Sequence, residues 1–178
     1  MKSINYIKSI KIWESESVGM NFKDLLLKAP GELVQIAMSL KNVDQNPKWH
    51  PEGNTLKHII TVFKRAVEHY PGNIDIAMAA FFHDLGKLDT YEISPKTGQP
   101  TAHGHENVSA ELVKKYANWI SEIGADPEVV YYIVINHMKM KPSIWNVMKD
   151  KKKDKIKSSD SFKDLEKFSK IDRGGLDI

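Results

Sequence analysis

The residues most able to do chemistry are His83 and Asp84, in the stretch AAFFHDLGKLDT (79–90), where they directly follow an apolar run. Burying an imidazole or a carboxylate is costly unless something pairs with it. Four other segments bring a nitrogen or oxygen ligand toward an apolar core. His58 borders the apolar pair Ile59 and Ile60, and His105 stands in HGHE near the start of a later helix. His137 follows VVYYIVIN, and Asp172 ends the pattern KDLEKFSKID, with Asp160 as its alternative. His69, beside Glu68 on a polar face, reads as an ordinary surface histidine. A divalent ion would make sense of such a set. Adjacent helical residues point about 100° apart, so His83 and Asp84 cannot share one stripe but can hold one ion from two sides. Imidazole with carboxylate suits Mn²⁺, Fe²⁺, Co²⁺, Ni²⁺ or Zn²⁺ better than Ca²⁺. The ion's charge would keep Asp84 ionised and the imidazoles neutral. The plainer alternative is a helix-end hydrogen-bonding pair.

The elements that must position these groups are helical. Patterns at 22–28 and 31–41 are separated by Ala29, Pro30 and Gly31, and NPKWHPEGN (46–54) reads as a loop. Asn54 or Thr55 caps a helix running to Tyr70, with Leu56, Ile59, Ile60, Phe63 and Val67 on one face. A helix over 73–85, apolar nearly all round, is expected to be buried, with Gly86 as its C-cap. Residues 89–102 form a loop or a small hairpin. Further helices are expected at about 104–123, 127–140 (opened by Asp126 and Pro127), 143–149 and 160–172. The fold class is all-α.

The 178 residues suit one domain with a sizeable core, at 41% apolar and 28% charged. No run approaches a membrane span, and the N-terminus lacks the apolar segment of a secretory signal, so a cytoplasmic protein is expected. With no cysteine there are neither disulfides nor thiolate ligands. Net charge is only +3, but KDKKKDKIK (149–157) is a basic cluster, either a solvated loop or helix end or a contact for polyanions.

His58, the His83–Asp84 pair and the late Asp172 resemble the H…HD…D signature of the HD-domain metal-dependent phosphohydrolases. The segments NPKWHPEGNTLKH (46–58), FFHDLGKLDT (81–90), HGHENVSAELV (103–113) and KIDRGG (170–175) resemble, in order, the HD domain attached to bacterial tRNA nucleotidyltransferases. The resemblance implies an HD-domain helical bundle over 21–178 behind an N-terminal arm at 1–20. It also implies one or two divalent ions (Mn, Mg, Co, Ni, Fe or Zn). His58, His83, Asp84 and Asp172 would be ligands, with His105 and His137 for a second ion and Asp84 bridging. The expected activity is hydrolysis of nucleotide or RNA-end phosphates such as 2′,3′-cyclic phosphates. No nucleotidyltransferase head domain is expected, because its Gly-Ser turn and Asp-x-Asp pair are absent.

Around that chemistry, Asp84 is placed to take a proton from water, and Lys87 to reach a phosphate oxygen or to serve only as a last-turn surface lysine. His50 and His103 are candidate substrate contacts or proton donors, and Arg173 is a further phosphate contact. Trp49, Tyr91 and Trp145 are left out of the site as core or half-core residues. Other readings keep the metal and change the role: a deoxynucleoside 5′-monophosphatase, a di-iron oxygenase, or a metal-stabilised nucleic-acid-binding module.

Overall fold

The computed structural model describes residues 20–48 and 50–174; the expected N-terminal arm up to residue 19, Trp49, and Gly175 of the KIDRGG run lie outside them. Helices α1 (Phe22–Lys28), α2 (Gly31–Ser39) and a 3₁₀ turn (Leu40–Asn42) come first. They are followed by α3 (Thr55–His69) and α4 (Ile74–Phe82). Asn21, Asn54 and Asn73 each cap a helix by accepting from a backbone N–H in its first turn, which satisfies a donor the helix itself cannot. The short α5 (Lys87–Thr90) leads into strands β1 (Tyr91–Ile93) and β2 (Pro100–Ala102), an antiparallel pair in which Tyr91 faces Ala102. Then come α6 (His105–Lys115), α7 (Ala117–Ile123) and α8 (Pro127–Asn136) with its 3₁₀ extension His137–Met140. Last are α9 (Pro142–Trp145), α10 (Asp150–Lys157) and α11 (Phe162–Asp172).

Helix α4 is the centre of the bundle. Every residue from Ile76 to Phe82 is buried, and α3, α6, α8 and α11 all pack against it. Its neighbours turn in single apolar faces: Ile59, Val62, Phe63 and Ala66 from α3, Val130, Ile133 and Val134 from α8, and Leu165, Phe168 and Ile171 from α11. Each of the Val, Ile, Leu and Phe side chains among them contributes about 1.5–3 kcal/mol on burial. Polar groups at the end of α4 therefore open into the middle of the protein, and the surrounding helices reach them from several sides.

Several helices are shorter than their sequence patterns. The pattern at 104–123 breaks at Tyr116 (φ −107°, ψ 21°), where Tyr116 Oη docks on Glu32 and Trp119 Nε1 donates to the Lys28 carbonyl. The pattern at 73–85 ends at Phe82, and Gly86 is not a left-handed cap, since its φ is −65°. Its reason is close approach. A Cβ there would lie 2.3 Å from the His105 carbonyl oxygen and 2.8 Å from Ser109 N. The Gly86 N–H donates to Ser109 Oγ at 2.9 Å. The turn carrying His83 and Asp84 is thereby pressed onto the first turn of α6. The lysine-rich stretch 149–157 forms α10, anchored by the buried Ile156.

Candidate metal centre

Four imidazoles meet at the end of α4, and their outer nitrogens are all committed. His83 Nδ1 lies 3.0 Å from the Ala80 carbonyl, His105 Nδ1 2.7 Å from that of Ala102, and His137 Nδ1 2.7 Å from that of Val134. His58 Nδ1 lies 2.6 Å from Glu52 Oε1. Each partner is an acceptor, so each Nδ1 carries the proton and donates it. In the neutral ring that leaves the Nε2 lone pair directed at the centre. Sequence position explains part of this. His83, His105 and His137 each stand at or beside a helix end and donate to a carbonyl three residues back.

Asp84, also buried, divides the centre in two. Its Oδ2 lies 3.3 Å from His83 Nε2 and 3.6 Å from His58 Nε2. Asp172 Oδ1 completes this side, 3.0 Å from His58 Nε2 and 3.5 Å from His83 Nε2. Asp84 Oδ1 faces the other way, 3.1 Å from His105 Nε2 and 4.0 Å from His137 Nε2, and those two nitrogens are 3.2 Å apart. Two neutral Nε2 atoms at that spacing cannot hydrogen-bond each other, because both Nε2 atoms are acceptors. His83 Nε2 is buried with no hydrogen-bond partner among the described residues. The donor set thus fits divalent cations: around His83, His105 and His137, lone pairs gather with no proton between them. His58, His83 and Asp84, and separately Asp84, His105 and His137, each place ligand atoms within 4.8 Å of one another.

Without a cation the charges settle among themselves. Burial opposes the charging of His58, but hydrogen bonds to Asp172 and Glu52 outweigh it and hold the ring at about 9. Burial, then the neighbouring His83 and His105, push His137 down to about 3. Burial alone would raise Asp84, yet His83, Lys87 and His105 hold its carboxyl well below the usual carboxylate range. Glu52 is likewise raised by burial, but hydrogen bonds from His58, its own backbone and His50 bring it to about 2. His58 is the group that gives a pH signature. Its folded value exceeds its ordinary 6.5, so its stabilisation is fully present below pH about 6.5 and is lost as pH rises through about 9. Chelator-treated protein is therefore expected to melt at a lower temperature at pH 9 than at pH 6.5, which thermal scans at the two values would read.

Beside the centre opens a cleft of about 350 Å³, lined by His50, Lys87, His103, His105, Gln45 and residues of the β1–β2 hairpin among others. Lys87 Nζ is 2.7 Å from Asp84 Oδ2. His50 packs edge-on against His58 and shares Glu52 with it. His103 is exposed at the rim, its Nε2 3.1 Å from Thr101 Oγ1. Arg173 lies outside the lining, its Nε donating to the Ser169 carbonyl. Asp160 is exposed in the turn before α11, whereas Asp172 joins the imidazoles. The residues that sequence reasoning missed are Glu52 and Gln45. Glu52 has a visible signal, standing between His50 and His58 in a loop expected to flank the site; Gln45 has none.

The HD domain family model matches residues 55–166. This chain belongs to the HD domain family. HD domains are metal-dependent phosphohydrolases, so the chain is an enzyme of that class and its cofactor is a divalent metal. Among curated relatives, the Multifunctional CCA protein of Shewanella denitrificans is 37% identical over 78 residues, covering 44% of this chain and 18% of the relative. That of Herminiimonas arsenicoxydans is 40% identical over 76 residues, 43% of this chain and 17% of the relative. The chain thus spans less than a fifth of the length of these relatives. No solved structure matches. Among the described residues, no helix of the HD domain is long and apolar enough to cross a membrane.

Proposed function

We propose that this chain hydrolyses phosphate esters of nucleotides or RNA ends, with 2′,3′-cyclic phosphates as the lead substrates, at a centre of two divalent ions. The observation that carries the two-ion reading is Asp84, whose two oxygens each face a separate pair of imidazole Nε2 atoms. The likeness to the Multifunctional CCA proteins supports the choice of RNA-end substrates. On this reading residues 21–178 act as one phosphohydrolase unit.

His58, His83, Asp84 and Asp172 would hold one ion, and Asp84, His105 and His137 the other. Bound divalent ions supply charge neutralisation at the phosphoryl oxygens and lower the pKa of a water from 15.7 toward about 7. The chain's own groups do the rest. Asp84 would position both ions and would take the water's proton. Lys87, 13% exposed at the cleft wall, offers its ammonium to a phosphoryl oxygen. His50 contacts the substrate from the loop, and His103 at the rim protonates the leaving oxygen. Arg173, tied back to Ser169, is not needed.

The test is turnover of 2′,3′-cyclic AMP, 2′-AMP and 5′-dAMP with Mg²⁺, Mn²⁺, Co²⁺ or Ni²⁺. Preference for the cyclic ester supports the proposal. Preference for 5′-dAMP would make the chain a deoxynucleotidase, and turnover of none of the three would remove the RNA-end reading.

Glu52 gives this centre a support of its own. By accepting the His58 Nδ1 proton at 2.6 Å it fixes the tautomer and turns Nε2 inward. Partners of this kind tune metal affinity by about 10- to 100-fold. Glu52→Ala, which removes that acceptor, is expected to weaken metal binding by that order while leaving the fold intact, as titration with Mn²⁺ and circular dichroism would show.

A further inference from the structure

Gln45 is a buried side chain with half of its hydrogen bonding unmet. It stands in a loop closed on itself: Asp44 pairs with Asn54 in a backbone bridge, and the Gln45 N–H donates to the Gly53 carbonyl at 3.0 Å. The residue is only 7% exposed and lines the cleft. Its Oε1 accepts from Lys87 Nζ at 2.6 Å. An ammonium has no lone pair, so the amide oxygen must be the atom facing it and the NH₂ must face away. That Nε2 is buried and has no hydrogen-bond partner among the described residues.

A buried amide NH₂ without an acceptor is costly, and native proteins rarely keep one. Here the missing acceptor has a natural source. Lys87 Nζ bonds Gln45 Oε1 and, at 2.7 Å, Asp84 Oδ2, which commits two of its three N–H donors. The third ammonium donor and the amide hydrogens of Gln45 remain for a ligand. They belong to one wall of one cleft, beside the carboxylate at the middle of the candidate centre.

We propose that Gln45 and Lys87 form the seat for a non-bridging oxygen of the substrate's phosphoryl group. Gln45 Nε2 donates to that oxygen, and Gln45 Oε1 holds the Lys87 ammonium in place to donate beside it. The seat rests on the phosphoester reading above and narrows it. It takes an oxygen that only accepts hydrogen bonds, as an ionised phosphate ester presents, and rejects any ligand that brings a donor to that position.

The experiment uses the metal-loaded full chain, Gln45→Glu and Gln45→Met, with inorganic phosphate as the probe in calorimetry and 2′,3′-cyclic AMP in kinetics. Gln45→Glu keeps an acceptor on Lys87 but puts a negative charge where the amide donated; Gln45→Met removes both functions in a similar volume. Phosphate affinity is expected to fall by about 10- to 100-fold in Gln45→Met and further in Gln45→Glu. KM for the ester should rise in parallel, with metal content at the wild-type value and both variants folded by circular dichroism. Wild-type phosphate affinity in both variants would overturn the seat, since the amide would then be satisfied by water. Loss of phosphate binding only together with loss of metal would also overturn it, leaving Gln45 a structural residue. The two readings fail separately. Turnover that needs Asp84 but not Gln45 keeps the hydrolase and removes the seat; phosphate binding that needs Gln45 without turnover of any ester does the reverse.

Discussion

Asp84→Asn is expected to abolish ester turnover, lowering kcat/KM by about a thousandfold or more, and to strip the protein of metal. The substitution changes hardly any volume, so its effect is chemical. Both carboxylate oxygens are engaged: Oδ2 faces Lys87 Nζ at 2.7 Å and His83 Nε2 at 3.3 Å, while Oδ1 faces His105 Nε2 at 3.1 Å. An amide can offer an oxygen to only one side. The Lys87 ammonium demands that oxygen, so the NH₂ turns toward His105 and hydrogen-bonds the lone pair a second ion would use. On the two-ion proposal, the first ion would lose a negative ligand, and the second would lose its bridge along with an imidazole. In the metal-free protein the change also removes the charge facing Lys87 and His83, at a cost on the order of 3 kcal/mol. Elemental analysis beside steady-state kinetics would check this. A variant that kept two ions per chain and normal turnover would remove Asp84 from the centre.

Gly86→Ala is expected to be nearly as severe while touching no ligand. The added methyl would stand 2.3 Å from the His105 backbone oxygen and 2.8 Å from both Ser109 N and Val108 Cβ. Backbone on both sides cannot yield as the tip of a flexible side chain does. The turn after α4 and the start of α6 must separate, breaking the bond from Gly86 N to Ser109 Oγ. Overpacking of this kind costs about 3 kcal/mol, or about 6–12 °C in melting temperature for a chain of this size. The separation also carries His105 away from Asp84. On the two-ion proposal, an ion at Asp84, His105 and His137 should therefore weaken before one at His58. Calorimetric metal titration should then show one strong site in the variant in place of the two expected of the native protein. Unchanged melting and two strong sites would mean that the close approach does not matter.

The all-α class was readable because apolar stripes on α3, α8 and α11 repeat at helical spacing and the run in α4 has no polar side. Breaks at Tyr116 and Asn136 were not, since the apolar pattern continues through both positions and the backbone turns only to dock Tyr116 and to deliver His137. Helix α10 was hidden by its lysines, with Ile156 as its sole buried residue. Histidines announce a metal centre by type and by their apolar neighbours. Glu52 is marked only by its place between His50 and His58, and Gln45 by nothing, because its role comes from loop closure: it meets Lys87 across 42 positions of chain. Next to Asp172 in sequence, Arg173 diverges from it by about 100° around the helix and lies exposed, its Nε donating to the Ser169 carbonyl.

His58 and Asp172 meet across 114 residues of chain. An ion held by both acts as a removable cross-link between α3 and the last helix of the bundle. Closing so long a loop is entropically costly, and the metal-free protein must do it with hydrogen bonds and packing alone. Cation binding therefore stabilises chiefly the opening modes in which α11 lifts from the bundle, since those modes break the site. Amide hydrogens of α11 should exchange more slowly in the loaded protein. Those of α1 and α2, which give no ligand, should respond mainly through global unfolding.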